Sequence, residues 1–373
     1  MNKNRLFLDV HVIQTVPPSN INRDDTGSPK TAQYGGVRRA RVSSQSWKKA
    51  MRDYFIENSE QEKVGVRTKR VVDYVKNEIL KISNALTENE AREKARDVLQ
   101  LAIYAKSNNK NDMKTARNKL KDYQSDELVF ISQKQAEELA KMALNQNYEF
   151  KELKESFRNN PTIDICLFGR MVASDPSLNE DASSQVAHAI STHAIQSEFD
   201  FFTAVDDRSP EDNAGAGMLG TVEYNSSTLY RYANVAVHEL LKQLKDKESV
   251  INTLKLFVKA FANSMPTGKA NTFANQTLPQ LLLLEIREDR PVNLVNAFEN
   301  PVKSKEGYVS ESIRRLFEAE QKVNKFAEVP LHSYYVSAND ESIATASLKF
   351  ESLGELLNNL NGALSELLSE VGE

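Results

Sequence analysis

Cysteine is almost missing from this chain: Cys166 is the single one in 373 residues. That excludes an intramolecular disulfide and any cysteine-rich metal site. Long apolar runs are missing too. LLLLEI from Leu281, for one, is strand-sized and far short of the roughly 18 residues that span a bilayer. The opening MNKNRLFLDV has no apolar signal core and no small-residue cleavage site. The expected compartment is therefore the cytoplasm. PTGKAN at 266–271 contains Gly-Lys, but the phosphate-loop spacing is absent and Ala270 stands where the hydroxyl belongs. No G-x-S-x-G occurs, and nothing around Cys166 marks a nucleophile. With 27% charged residues and a net charge of −4, the composition is that of a globular protein large enough for one big domain or two smaller ones.

Against this mildly acidic background, one stretch is basic. Arg38, Arg39, Arg41, Lys48, Lys49 and Arg52 fall within 38–52, where no acidic residue occurs. Its second half reads as a helix opening at Ser43 or Ser44, either a suitable N-cap. Trp47, Ala50, Met51, Tyr54 and Phe55 recur with helical spacing on one side. Gln45, Lys48, Lys49 and Arg52 fall on the other. Upstream, Tyr34-Gly35-Gly36 suggests a flexible turn where the main chain approaches a ligand closely. A basic face is also what a merely solvated helix looks like.

The rest of the chain alternates strand and helix patterns. RLFLDVHVIQ (5–14) alternates Leu6, Leu8, Val10 and Val12 against a mixed face, as a strand with one buried side does. Residues 64 to 160 contain no proline and read as polar helices; Lys151, Lys154 and Arg158 there could touch a second nucleic-acid strand. TIDICLFG (162–169) reads as a strand ending in Gly169-Arg170-Met171, with Cys166 buried in it. SQVAHAISTHAI (184–195) reads as another strand. His188 and His193, five apart, would then face opposite ways and could not chelate one metal together. Two strands are expected to meet at a turn, Asn225-Ser226-Ser227, beyond a loop tipped by Met218-Leu219. LLLLEIRE (281–288) is a buried strand, ESIRRLFEAEQKVNKFA a helix, LHSYYVS a last strand, and the glutamate-rich tail from 351 a helix. The order suits an α+β domain with a mainly antiparallel sheet.

Particular strings sharpen this. N-R-D-D at 22–25, G-G-V-R-R-A-R-V-S-S-Q-S at 35–46, K-K-A-M-R at 48–52, G-R-M at 169–171, A-H-A-I-S-T-H at 187–193, F-T-A-V-D-D at 202–207, Y-R-Y-A-N at 230–234 and N-A-F-E at 296–299 occur in this order. Together they resemble the CasC-type backbone subunit of Cascade, the CRISPR surveillance complex of the type I-E system, over most of the chain. The resemblance implies an RRM-like (ferredoxin-like) antiparallel palm with inserted helical fingers and a thumb β-hairpin. The expected bounds are palm 1–62, fingers 63–183, a palm strand at 184–195, thumb 196–228, and the remaining palm with a C-terminal helix at 229–373.

It also implies a function. Copies stack head to tail along crRNA, displace a base at regular intervals, and leave the others free to pair with target DNA. The further partners are the large, small, guide-end-binding and crRNA-processing Cascade subunits; no cofactor, metal or membrane is implied. By matching motif, Asn22, Arg23, Lys30, Arg41, Ser43, Gln45, Lys48, Lys49, Arg52 and Arg170 are expected at the RNA. Met171 lies beside the displaced base, Leu219 closes over it, and Lys303 and Lys305 lie near the same groove. The tip D-D-R-S-P-E-D-N-A-G-A-G-M departs from the family, as do the finger helices. Two other readings stay open: a metal-dependent RNA cleaver using Asp24, since related backbone subunits cut RNA from a comparable loop, and a structural oligomer with a solvated basic face.

Overall fold

The first strand exists, is longer than expected, and is buried on both faces. β1 runs Phe7–Ser19, and Asp9, His11 and Ile13 on its mixed face are as inaccessible as Leu8, Val10 and Val12 on the other. The structure, a computed structural model, describes residues 5–145, 149–204, 218–339 and 344–370. They fall into a first unit of residues 1–54, 185–238 and 251–373, and a second of 55–184 and 239–250. We refer to them as palm and fingers.

β1 leads through a loop to the hairpin β2 (Thr31–Tyr34) and β3 (Val37–Val42), then to α1 (Ser44–Asn58). Gly35 and Gly36 are the two hairpin-turn residues, with φ of +58° and +77°, the paired positive values that favour glycine in a tight hairpin. The close approach at Gly35 is to the protein's own chain. A Cβ on Gly35 would lie 1.6 Å from the Glu299 carbonyl oxygen. Arg39 of β3 is fully buried and bolts this corner together, donating to the carbonyls of Tyr34, Ser191, Phe298 and Glu299.

The fingers contain β4 (Val66–Thr68), α2 (Val71–Ile82), α3 (Glu88–Leu99), α4 (Lys110–Ala116), β5 (Val129–Ile131), α5 (Gln133–Asn145), α6 (Phe150–Arg158) and α7 (Ile163–Phe168). Val72, Ile79, Val98, Leu139 and Phe157 share one core. Thr87 and Glu90 form a capping box that starts α3. The segment read as the strand TIDICLFG is the helix α7. It is too short for apolar periodicity to separate helix from strand. Asp164 accepts bonds from the Thr162 hydroxyl and the Ile165 N–H in its first turn. Cys166 is buried there, its thiol pushed up to about 12, chiefly by burial.

The chain then forms β6 (Ser184–Val186), β7 (Ala189–Ser191), β8 (Glu198–Ala204), β9 (Met218–Ala236), α8 (Val237–Leu244), α9 (Lys247–Asn263), α10 (Ala270–Phe273), β10 (Leu281–Arg287), α11 (Val309–Val323), β11 (His332–Ser337), β12 (Leu348–Lys349) and α12 (Leu353–Glu370). Most of α8 and the first turn of α9 belong to the fingers. The expected strand 184–195 is thus broken in two. The expected turn at Asn225–Ser227 does not exist either: β9 runs straight through it, with Asn225 opposite Ser19 and Ser227 opposite Val16. The irregularity lies in β1, where Pro17 and Pro18 cannot donate to the ladder and the register shifts.

Among the described residues ten strands share one sheet, with the path β12-β11-β10-β1-β9-β7-β3-β2; β6 and β8 also pair with β9. β1 is antiparallel to both β9 and β10. Its mixed face is covered by a core that includes Leu283, Phe298, Leu316 and Phe317, the last two from α11. The architecture is α+β: an RRM-like (ferredoxin-like) palm with the helical fingers inserted after α1 and β8–β9 as the thumb hairpin. Residues 205–217, most of the thumb tip, lie outside the described residues.

The turn gives a stability test. Gly36→Ala meets no neighbour within contact range, so it carries only the positive-φ strain, about 1 kcal/mol. Gly35→Ala adds a backbone collision and is expected to cost at least twice that. Denaturant unfolding of the two variants measures the difference.

Candidate nucleic-acid interface

The polar loop after β1 is held in shape by its own side chains. Asn22 Oδ1 accepts the Ser43 N–H at 2.8 Å, and the Lys30 N–H donates to the Asn22 carbonyl at 2.9 Å. Arg41 N–H donates in turn to the Lys30 carbonyl. Asp24 Oδ1 accepts from the Thr26 and Ser28 N–H groups and from the Thr26 hydroxyl. Hydrogen bonding, from Thr26 first, holds its carboxyl below the usual range. Ser43 is the N-cap of α1, its Oγ accepting the Ser46 N–H at 3.3 Å. Asn22 and Ser43 thus join the loop to the helix; Ser43 itself is buried.

Loop and helix enclose a cleft of about 500 Å³, lined by Asn22, Arg23, Ser46 and Lys49. Pro266–Gly268, from the segment whose Gly-Lys lacks phosphate-loop spacing, also line it. Here Gly268 packs so close to Ile21 that a Cβ would lie 2.3 Å from its carbonyl oxygen. The cleft is mixed in sign, because Asp24, Asp25 and Asp53 also line it. Lys49 Nζ reaches Asp53 at 2.6 Å in an exposed i,i+4 pair. Such pairs contribute at most about 1 kcal/mol, so a phosphate can compete for the lysine. Gln45 and Arg23 are exposed, and Lys48 and Arg52 are half-buried. Burial draws the Lys48 ammonium below its usual value.

The start of α1 gathers a second group. The Ser44 N–H donates to His188 Nδ1 at 3.1 Å. Burial, then the charges of Arg41 and Lys30, hold that imidazole below its usual range. His193 is satisfied separately, its Nε2 accepting the Thr228 N–H. Both histidines thus serve the backbone. Lys303 and Lys305 line a separate cleft of about 570 Å³ with Val37, Ala194 and Tyr308; Tyr308 stacks on His193 at 3.7 Å. These lysines do not line the cleft of Arg23 and Lys49.

Met171 and Leu219, the two apolar residues implied at a displaced base, are 76% and 62% exposed. Sequence reasoning missed Phe199 and Phe201, at 67% and 65%, on the same hairpin as Leu219. The F-D-F spacing places both on one face of β8, a signal that was there to read. Phe202 points the other way, over Gly220, where a Cβ would strike its ring at 2.3 Å.

Arg170 is corrected. Its guanidinium is buried and bonds the carbonyls of Leu178, Phe130 and Phe157 and the side chain of Gln135. It holds the turn from which Met171 projects. Lys154 is also internal, paired with Asp175 at 2.6 Å, and Arg158 donates to the Ser177 carbonyl. The second-strand expectation for these residues therefore loses Lys154 and keeps the exposed Lys151, itself near Glu155, and Arg158.

The mixed face of β1 holds a cluster that the sequence did not reveal. Asp9, His11 and Glu285 bring potential metal-ligating atoms within 4.8 Å of one another, all fully buried. Arg287 lies among them, 3.2 Å from Glu285 and 3.6 Å from Asp9. Its guanidinium supplies the positive charge that the carboxylates need. Burial pushes Asp9 up to about 6, while His11 and Arg287 outweigh burial at Glu285 and hold that carboxyl low. Tyr232 donates to Asp9 and Tyr230 bonds His11, so the cluster ties β1, β9 and β10 together.

The fold is that of a backbone subunit of a CRISPR surveillance complex. A chain of the structure described as "CRISPR RNA-guided surveillance complex, pre-nicking" is 29% identical, with TM-score 0.84, over 96% of this chain and all of that one. A chain of a second structure, "CRISPR RNA-guided surveillance complex", is 27% identical with TM-score 0.62, over 96% and 99%. This chain belongs to the CT1975-like protein family, whose model matches residues 8–360. No curated protein matches it.

Burial separates two neighbours. Arg170→Ala strands several buried acceptors and is expected to cost about 3 kcal/mol or more. Met171→Ala, at an exposed position, is expected within about 0.5 kcal/mol of wild type. Chemical denaturation of the purified variants provides both numbers.

Proposed function

We propose that this chain is the crRNA-binding backbone subunit of a Cascade complex, of type I-E by its sequence strings, in cytoplasmic antiviral defence. Copies polymerise head to tail along the crRNA with the other Cascade subunits. Each holds the RNA backbone through the loop 22–30 and α1 and displaces bases at intervals. The observation that carries the reading is the cleft in which Asn22, Arg23, Ser46 and Lys49 come together. Mixed polar and cationic groups suit sequence-independent capture of phosphates. Sequence is then read by base pairing between crRNA and target DNA. Exposed Met171 and Leu219 are suited to wedge between bases, at a cost of about a few kcal/mol per unstacked step. None of the described helices is long and apolar enough to cross a membrane.

The chain acts as a scaffold and not as a nuclease in this reading. Asp24, the residue a cleaving subunit would use, spends Oδ1 on three bonds within its own loop. Two-metal or one-metal hydrolysis needs carboxylates placed for an ion and an aligned substrate. Labelled complementary RNA incubated with the assembled complex and Mn²⁺ is therefore expected to remain intact. Periodic cleavage that disappears in Asp24→Ala would establish the nuclease instead.

Binding is tested by a salt series with single-stranded RNA. If about six phosphates are contacted per copy, log K should fall with log salt at a slope near −4. Lys48→Ala/Lys49→Ala/Arg52→Ala should flatten it by about two units, whatever the RNA sequence. Weak, salt-insensitive binding that the triple variant leaves unchanged would make the basic face mere solvated surface.

A further inference from the structure

The string Y-R-Y-A-N in β9 has served so far as a marker of resemblance. Its members point to both sides of the sheet. Tyr230 and Tyr232 reach His11 and Asp9 on one side, while Arg231 projects from the other. There it is fully buried. Its guanidinium lies 3.6 Å from the Trp47 ring centroid and 4.4 Å from that of Phe261. Trp47 is on the inner side of α1, directly behind the face that carries Gln45, Lys48, Lys49 and Arg52.

The side chain donates to Gln14 Oε1 and to the Phe261 carbonyl in the last turn of α9. That turn has no basic residue of its own, so the guanidinium meets the negative end of the helix dipole. This offsets only part of a full charge. Among the described residues no carboxylate pairs with Arg231, and its Nε has no hydrogen-bond partner. Burial alone pushes its pKa down to about 9. A buried charge without a counter-ion is a cost to folding, which an apolar residue of similar volume often avoids. Its position suggests what offsets the cost.

We propose that Arg231 is a positioning residue for RNA binding: it seats α1 through Trp47 and adds an unneutralised positive charge behind that helix's phosphate-facing side. The inference rests on the RNA-binding reading above. A bound polyanion supplies the missing counter-charge. The effect passes through low-dielectric protein, where a charge that touches no phosphate still acts at a distance.

The test uses the full chain and single-stranded RNA at low and moderate salt, with thermal unfolding of each variant beside it. Arg231→Gln is expected to weaken binding about fivefold at low salt. Because no phosphate contact is removed, its salt slope should change by less than about one unit. Arg231→Lys keeps the charge but not the planar stack, and is expected to bind within twofold of wild type even if its melting temperature falls. Wild-type affinity in the Gln variant, or Lys binding as weakly as Gln, overturns the charge role. If neither variant folds, Trp47→Phe keeps Arg231 in place: affinity within twofold of wild type supports the charge, and a fivefold loss assigns the effect to seating alone. Absence of RNA binding by wild type would remove the broader reading as well, so the two failures are distinguishable.

Discussion

The palm depends on a strand buried on both faces. β1 lies between β9 and β10, so every polar side chain it carries must find a partner inside. Asp9 and His11 find theirs in Tyr230, Tyr232, Glu285 and Arg287, contributed by the two flanking strands. Removing any one member leaves the others buried and unsatisfied, a larger penalty than the network contributes as a whole. The ladder and the charge cluster therefore specify the same strand order and register. A rigid centre matters at the surface because the loop 20–30 starts where β1 ends. Asn20 fixes that loop to the Gly27 carbonyl and to β9 at Glu223, and Asn22 fixes it to α1.

Much of this was legible in the sequence. The apolar spacing of Trp47, Met51 and Phe55 gave the buried side of α1, and all three are buried. The run from Leu281 gave the central strand β10. Where reading failed, the competing physics is identifiable. TIDICLFG is apolar and short, and periodicity over so few residues fits a helical turn as well as a strand. Asn225-Ser226-Ser227 has turn composition, but β9 lies against β1 there and the ladder overrides local preference. Asp9 and His11 looked like a solvent side because nothing local announces the distant Glu285 and Arg287.

Arg170 was the one arginine expected at the RNA that is buried instead, and Arg39 and Arg231 share its burial. Arg39, Arg170 and Arg231 all occur in strings that resemble an RNA-binding family, and all three are buried. The planar guanidinium offers five donors in a fixed fork and is more weakly hydrated than an ammonium. It can therefore enter an interior if carbonyls are waiting: four at Arg39, three with a glutamine oxygen at Arg170, and one beside a glutamine oxygen and two rings at Arg231. A buried lysine needs a counter-ion as well, as Lys154 has in Asp175. The lysines expected at the ligand, Lys30, Lys48, Lys49, Lys303 and Lys305, all keep some exposure.

A shared string therefore mixes two kinds of residue. In G-G-V-R-R-A-R-V-S-S-Q-S, the glycines turn the hairpin, Arg39 braces it, and Ser43 caps the helix, while Arg41 and Gln45 stay near solvent. The first group fixes where the second can be, within hydrogen-bonding tolerance. In the proposed RNA-binding reading, a backbone framework fixed in this way lowers the ordering entropy lost when a ligand binds. The mixed charge of the cleft fits the same reading. Asp53 pairs with Lys49 at the surface, and such a pair is weak enough to yield to a phosphate.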